Sequence, residues 1–233
     1  RGVLGSGSPV LFSGMSSSIN YGSLFFTTDA LSFSNRPSAG VNGQLVATNV
    51  LRDPSAWYHI VAVFDSANVT ASNRMLLYVN GVQITSFTTG NYPSLNGASI
   101  ANSAISHYVG NDGVGNAFDG YLAEINFIDG QALTPSSFGY TDPSTGVWQP
   151  KAYTGTYGTN GFYLKFLDNS AATATTIGKD YSGNGNNWTP NNISVTAGTT
   201  YDSMLDSPTV TSFSSNYCIA NPLDKSLSLI HIS

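Results

Sequence analysis

The segment from residue 57 to residue 87 constrains the fold more than any other part of this sequence. Trp57–Phe64 places apolar side chains on both faces of an extended chain, which is typical of an interior β-strand. After a polar loop, Arg74–Val79 predicts a second strand. Asn80-Gly81 predicts a tight hairpin turn, because both residues tolerate positive φ angles, and Val82–Phe87 predicts the returning strand. This region is therefore expected to form an antiparallel sheet.

The rest of the chain repeats this pattern of short strands and turns, and no sustained helical periodicity is present. Only 9% of the residues are charged, whereas Gly, Ser, Thr and Asn are abundant, and this mixture suits strands joined by turns. Gln131–Phe138 predicts one helical turn, with Thr134 as N-cap and Pro135 as the first helical residue. Further strands are predicted at Pro9–Phe12, Ser23–Phe26, Ala30–Phe33, Gln44–Ala47, His107–Val109, Phe118–Ile128 and Gly161–Leu167. The predicted fold class is all-β, an antiparallel two-sheet jelly-roll sandwich with a loosely structured C-terminal tail.

Charge and cysteine content exclude several classes of function. The net charge is −5, and the eight basic residues are scattered, so we expect no nucleic-acid partner. The apolar runs are too short to cross a bilayer, so we expect no membrane insertion. Cys218 is the single cysteine, which rules out an intrachain disulfide and a cysteine-rich metal site, and we interpret it as an unpaired thiol.

Three blocks together resemble a known family. Trp57–Asp65 is followed by Leu77-Tyr78-Val79-Asn80-Gly81, then by Phe118–Glu124, and then by Gln131-Ala132-Leu133-Thr134. This series is similar to the central signature of concanavalin A-like lectin/glucanase domains of the laminin-G-like type. The resemblance implies a jelly-roll sandwich that binds a ligand, with cell-surface carbohydrate as the expected partner.

Two further segments resemble structural proteins of tailed phages, chiefly marine and environmental ones. These are Phe127–Leu133 and Gly178–Pro190, and Asn221–Lys225 resembles the junction that precedes a SPRY-like module in such proteins. The resemblance implies a virion or extracellular location and an adhesion role in a tail fibre or a capsid decoration. The alternative is a purely structural virion assembly domain, a homotrimer in a tail fibre or decoration, that contacts other virion proteins.

The expected domain organisation has three parts. Residues 1–140 are the sandwich, and Arg1–Leu4 resembles the residues that follow an early strand of the family, so we expect the first strands to be missing. Residues 141–200 form a linker with one more strand and an Asn/Gly-rich turn; this segment either completes the sheet or begins another module. Residues 201–233 are a tail, and Leu227–Ser233 resembles translated adaptor sequence.

Catalysis is not expected. Glycoside hydrolysis usually needs two carboxyl groups about 5–9.5 Å apart, and glucanases with this fold carry acidic residues at alternate positions of one strand. Glu124 is the only glutamate, and Asn126 and Ile128 occupy the following alternate positions. A catalytic pair of two aspartates is left open as an alternative, although no pattern in the sequence indicates one. We interpret His59 as a packed strand residue and His107 as a surface residue at a strand end.

The candidate carbohydrate site combines aromatic and planar polar side chains near loops: Tyr92, Tyr108, Asn111, Asp112 and Tyr121. Two tryptophans, Trp57 and Trp148, have competing structural roles. We expect Trp57 to anchor the core, unless it lies on the surface and stacks on sugar. Trp148 is expected to pack against the linker.

A calcium site is the one cofactor that the sequence suggests, because hard cations prefer several oxygen ligands. The candidate ligands are Asp65, Asn111, Asp112, Asn116 and Asp119. The alternative is that these side chains only form the turns in which Asn and Asp commonly occur.

Overall fold

A computed structural model describes residues 2, 4–5, 7–38, 40, 43–196 and 201–203. This part of the chain contains thirteen strands and two single turns of 3₁₀ helix, at Ala71–Asn73 and Pro135–Ser137. The strands are β1 Val10–Ser17, β2 Asn20–Thr27, β3 Ala30–Arg36, β4 Gly43–Val50, β5 Ile60–Phe64, β6 Met75–Val79, β7 Val82–Gln83, β8 Phe87–Asn91, β9 His107–Val109, β10 Ile125–Phe127, β11 Gly139–Thr141, β12 Trp148–Pro150 and β13 Phe162–Leu164.

One layer of the sandwich is a six-stranded antiparallel sheet in the order β8-β4-β3-β2-β1-β9. Its four central strands, β1 to β4, are consecutive in the chain, and each pairs antiparallel with the one before it. Antiparallel neighbours can be joined by short turns, as these strands are. Its inner face carries Phe26, Leu31, Phe33 and Leu45, all of them buried. These side chains form one wall of the hydrophobic core.

The opposing layer consists of two separate pieces. The first is the three-stranded sheet β5-β6-β7, from which Met75 and Leu77 pack onto the core of the large sheet. The second is the pair β10-β13, which packs on β1 through aromatic rings: Phe12 lies 5.7 Å from Phe127 and 6.4 Å from Phe162 between ring centroids. A hairpin of β11 and β12 follows β10 in the chain. The predicted all-β antiparallel sandwich is confirmed.

The predicted hairpin ends earlier than expected. Val82 and Gln83 pair with β6, and the N–H of Ile84 donates to Leu77 O at 2.8 Å. The chain then crosses to the other layer, where β8 pairs with β4. The expectation of one continuous return strand, Val82–Phe87, is therefore wrong, because Phe87 belongs to the opposite sheet.

Two strands predicted as long ones are paired over only part of their length. The strand expected at Trp57–Phe64 begins at Ile60 and lies at the edge of its sheet, not in its interior. The strand expected at Phe118–Ile128 is limited to β10, and Glu124 immediately before it has a φ of 52°. A positive φ at a residue other than glycine is uncommon and interrupts an extended strand.

Other local predictions agree more closely with the structure. Pro135–Ser137 is a single 3₁₀ turn, and Thr134 occupies the N-cap position, although its hydroxyl contacts Ser136 Oγ at 2.8 Å and not a backbone N–H. The strand expected at Gly161–Leu167 is present as β13 and pairs antiparallel with β10. Of the predicted loose tail, residues 201–203 are described, and the rest of it, including Cys218 and Leu227–Ser233, lies outside the described residues.

Candidate functional site

An open cleft separates the two pieces of the opposing layer and has a volume of about 1220 Å³. Residues 54–67 form one wall and residues 121–133 form the other. The floor is the inner face of the large sheet, where Leu11, Leu24 and Phe26 line the cleft. Binding sites typically occupy such concave and largely apolar surfaces, so this cleft is the first place to look for a ligand.

Two exposed aromatic side chains lie on the walls of this cleft. Trp57 is 41% exposed and Tyr121 is 63% exposed. The expectation that Trp57 anchors the core is therefore wrong. The pairing of β5 with β6 extends only as far as His59, whose N–H donates to Asn80 Oδ1 at 2.8 Å, so Trp57 precedes the packed part of the strand. Both rings present surface that a flat ligand could cover.

His59 and Trp148 pack together on the same cleft, with ring centroids 5.5 Å apart. Burial lowers the pKa of His59. His59 Nδ1 and Trp148 Nε1 are both buried without a hydrogen-bond partner. The Trp148 ring lies over Gly81, where a β-carbon would collide with it. Trp148 thus packs against the turn between β6 and β7 and against His59, in addition to the linker packing expected from the sequence.

His107 differs from the expectation of a surface residue. Its ring is half-buried, stacks on Phe12 at 5.9 Å between centroids, and places Nε2 3.1 Å from Ala101 O. Gly14, on the neighbouring strand, makes room for this ring, because a β-carbon at Gly14 would lie 2.8 Å from His107 Nε2. His107 is a packing residue of the sheet edge.

The loop after β9 brings together Tyr108, Asn111, Asp112 and Asn116 among the predicted site residues. Asn111 Oδ1 accepts the N–H of Gly113 at 2.8 Å, and Asp112 Oδ1 accepts the N–H of Val114 at 3.0 Å. Asn116 Nδ2 donates to Asp112 Oδ2. The loop is thus closed from within by its own side chains.

The buried carboxyl of Asp112 is held in its charged form. Burial alone would raise the pKa of Asp112, but the hydrogen bonds from the Asn116 amide and the Val114 N–H outweigh it and lower this pKa below its usual value. The Tyr108 ring closes the other side of the loop, lying so close to Gly113 that a β-carbon there would be 2.6 Å from Tyr108 Cζ. The side chains of Asp112 and Tyr108 thus both stabilise the conformation of this loop.

The remaining predicted site residues lie elsewhere. Tyr92 packs against the hydrophobic core, and Tyr121 lies on the cleft. Asp65 directly follows β5, and its N–H donates to Arg74 O, whereas Asp119 O accepts the N–H of Gly2, each at 2.8 Å. Among the described residues, no three acidic, histidine or cysteine side chains are grouped so that they could hold a metal ion. The calcium site stays a prediction.

One buried carboxylate, that of Asp180, lies in the Asn/Gly-rich turn of residues 180–187, where no site residue was predicted. Asp180 accepts the N–H of Tyr163 at 2.8 Å, the N–H of Ser182 at 2.8 Å and the N–H of Asn186 at 2.9 Å. It therefore ties the turn to β13. The sequence signal for it is an Asp that opens an Asn/Gly/Ser-rich turn, which is also the signal for an ordinary exposed turn.

In the described part of the chain, no helix has the length and apolar character needed to cross a bilayer. Searches among curated proteins and among solved structures each found no match. A family model described as the concanavalin A-like lectin/glucanases superfamily, of laminin-G type, matches residues 2–137. This span exceeds half of the 233 residues and includes the large sheet and both walls of the cleft. The chain belongs to the concanavalin A-like lectin/glucanase superfamily.

Proposed function

We propose that this domain is a carbohydrate-binding module without catalytic activity. Membership of the superfamily supports sugar binding as the general class of function. The observation that carries the proposal is the exposure of Trp57 and Tyr121 on the walls of an open cleft. Aromatic side chains supply large, rigid contact surfaces at low entropic cost, and they commonly dominate the binding energy of an interface.

The distribution of carboxyl groups supports binding without hydrolysis. Glu124 is the only glutamate and lies on the cleft wall, and Asn126 and Ile128 follow it at the alternate positions. A retaining or inverting hydrolase needs a second carboxyl facing the first across the scissile bond. Asp65 and Asp129 also line the cleft, and the carboxylate of Asp129 already accepts hydrogen bonds from the Asn102 amide and the N–H of Asn160. Release of reducing sugar from a bound polysaccharide would overturn the non-catalytic part of the proposal.

The binding test uses the purified chain on a glycan array, followed by calorimetric titration with the best ligand. Tyr121→Ala and Trp57→Ala should each weaken binding about tenfold or more, which corresponds to ~1.4 kcal/mol. Tyr140→Ala is the matched control, because Tyr140 is 49% exposed and lies outside the cleft lining. Equal affinities for all four proteins would refute this site, and no binding to any glycan would refute the function.

The setting that we propose is the surface of a tailed phage, where the module adheres to host glycan. This rests on the resemblance of Phe127–Leu133 and Gly178–Pro190 to phage structural proteins. The second candidate is an assembly domain that contacts other virion proteins, and the outer edge of β5, which has no partner strand among the described residues, favours it. Glycan affinity in a monomer supports adhesion, whereas a stable trimer without glycan affinity, measured by light scattering, supports assembly.

A further inference from the structure

A carboxylate of fixed orientation lines the cleft. Asp129 and Asn102 both belong to the cleft lining, although they come from separate segments of the chain. Asp129 Oδ1 accepts the side-chain amide of Asn102 at 2.7 Å, and Asp129 Oδ2 accepts the N–H of Asn160 at 3.1 Å. The N–H of Asp129 donates to Tyr157 O at 2.8 Å, so the main chain is held as well. The carboxylate therefore keeps one orientation relative to the cleft.

The loop that carries Asn160 is packed tightly against Asp129. A β-carbon at Gly158 would lie 2.9 Å from Asp129 Cβ. The side-chain amide of Asn160 donates to Asn102 Oδ1 at 3.0 Å, which closes a ring of hydrogen bonds among Asn102, Asp129 and Asn160. Asn184 holds the same loop, because its side-chain amide donates to Gly158 O at 2.6 Å. The polar group is thus organised before any ligand arrives.

This ring of hydrogen bonds leaves bonding capacity on the side that faces a ligand. Each carboxylate oxygen can accept two hydrogen bonds, and each oxygen of Asp129 accepts one from the described residues. The Asn102 amide has two N–H groups, and one of them donates to Asp129. Asp129 therefore offers acceptors and Asn102 offers a donor. A sugar hydroxyl group is both donor and acceptor, so the two side chains match a pair of hydroxyl groups.

Negative charge prevails among the described residues of the cleft lining. Asp65, Glu124 and Asp129 are acidic, whereas Lys151 is the only lysine or arginine there and its side chain is exposed. A single exposed ammonium group contributes little, because water screens exposed ion pairs. Burial lowers the pKa of His59, so its ring adds no charge at pH 7. An anionic ligand would therefore meet like charge in this cleft.

We propose that Asp129 and Asn102 set the specificity of the cleft: they bind two neighbouring hydroxyl groups of a neutral sugar and exclude acidic sugars such as uronates. This inference rests on the proposed sugar-binding function and adds the class of ligand. Trp57 and Tyr121 supply the apolar contact, and Asp129 supplies the direction of the polar contact. A ligand carboxylate beside Asp129 would bring two acceptors of like charge together without a hydrogen between them, which is how an unsuitable ligand is rejected.

The test uses the neutral oligosaccharide that binds best on the array and the same oligosaccharide with its primary hydroxyl groups oxidised to carboxylates. In calorimetric titration at low salt, the oxidised form should bind about tenfold more weakly or worse. Asp129→Asn keeps the shape of the side chain and removes its charge. In this variant the neutral ligand should bind about tenfold more weakly, because a hydrogen bond to a charged group is lost, and the preference for it should fall below about threefold.

Asp142→Asn is the matched control. It removes the charge of a carboxylate that accepts the N–H of Ser144 and lies outside the cleft lining, so it should change neither affinity. Salt provides a check that needs no variant. Raising the ionic strength from about 0.05 M to about 0.5 M should reduce the penalty on the oxidised ligand and leave the affinity for the neutral ligand unchanged, because salt screens charges.

The possible failures are distinguishable. An acidic glycan as the strongest ligand, or an oxidised ligand that binds as tightly as the neutral one, would overturn the inference and leave sugar binding intact. Unchanged affinity and preference in Asp129→Asn, with a Tm that shows the variant to be folded, would do the same. The absence of binding to any glycan would instead refute the proposed function itself, and the inference with it.

Discussion

Replacing Asp180 by alanine would remove the side chain that joins the turn after β13 to the sandwich. Asp180 is only 6% exposed, and its carboxylate accepts the N–H groups of Tyr163, Ser182 and Asn186 and the hydroxyl of Ser182. Burial alone would raise the pKa of Asp180, but the hydrogen bonds from Ser182, Tyr163 and Asn186 lower it below the usual 3.8. The charged form is therefore the one that the fold stabilises.

The magnitude follows from the burial of these hydrogen bonds. The bond from Tyr163 is fully buried, and a hydrogen bond to a charged group contributes about 1.5–3 kcal/mol. The other bonds of Asp180 are only partly buried, so water can replace some of them and they add less. We expect Asp180→Ala to lower the free energy of unfolding at pH 7 by about 3–5 kcal/mol, which is the range for breaking a buried polar network.

Urea denaturation monitored by tryptophan fluorescence measures this loss of unfolding free energy. Trp188 is a suitable probe, because it lies in the same segment and contacts Phe162 at 4.8 Å between ring centroids. Asp53→Ala is the control: Asp53 is exposed and accepts the N–H of Ser55 at 2.9 Å in a similar turn. A loss below about 1 kcal/mol at Asp180, or equal losses in both variants, would refute the reasoning. The contribution of Asp180 should be fully present above pH 3.8, decline as the pH falls below 3.8, where the unfolded chain binds the proton first, and be lost once the pH is also below the lowered pKa of the folded state.

Two other outcomes are expected from the packing. Trp57→Ala should lower the free energy of unfolding by less than about 1 kcal/mol, because Trp57 is 41% exposed. Leu77→Ala removes a side chain that is 0% exposed and should lower it by about 2–5 kcal/mol. Equal losses for the two variants in thermal or urea unfolding would contradict the placement of Trp57. Because burial lowers the pKa of His59, the unfolded chain binds a proton at this residue more readily than the folded chain does. The free energy of unfolding should therefore decrease as the pH falls below 6.5. His59→Phe should make this decrease smaller when unfolding is measured as a function of pH.

The sequence predicted those parts of the fold that depend on local pattern. The hairpin turn at Asn80-Gly81 was predictable because both residues adopt positive φ angles, 48° and 79°, and the flanking residues alternate. The crossover between Gln83 and Phe87 was not predictable, because which sheet a strand joins depends on packing across the sandwich. The same holds for β11 and β12, whose residues lie within a Pro/Gly/Thr-rich stretch that indicates a linker.

The candidate site was less predictable than the fold. Tyr108, Asn111 and Asp112 were correctly expected near a loop, but the pattern of the sequence does not say whether their polar atoms face a ligand or each other. In the structure Asp112 accepts hydrogen bonds from its own loop, which is a common use of Asp in turns. Trp57 was assigned to the core because alternation continues through it, and only the end of strand pairing at His59 shows that it does not belong there.

The opposing layer can remain in two pieces because each piece has a core of its own. Met75 and Leu77 pack with Phe33 and Leu45 on one side of the cleft. On the other side, the rings of β10 and β13 form an aromatic cluster with Phe12 and Trp188. The residues that match the family end at 137, before β13 and Trp188, so the second core depends on chain beyond the matched span. We infer that residues 162–188 belong to the working unit of this domain, since without them β10 would have neither its partner strand nor the contact between the rings of Phe127 and Phe162.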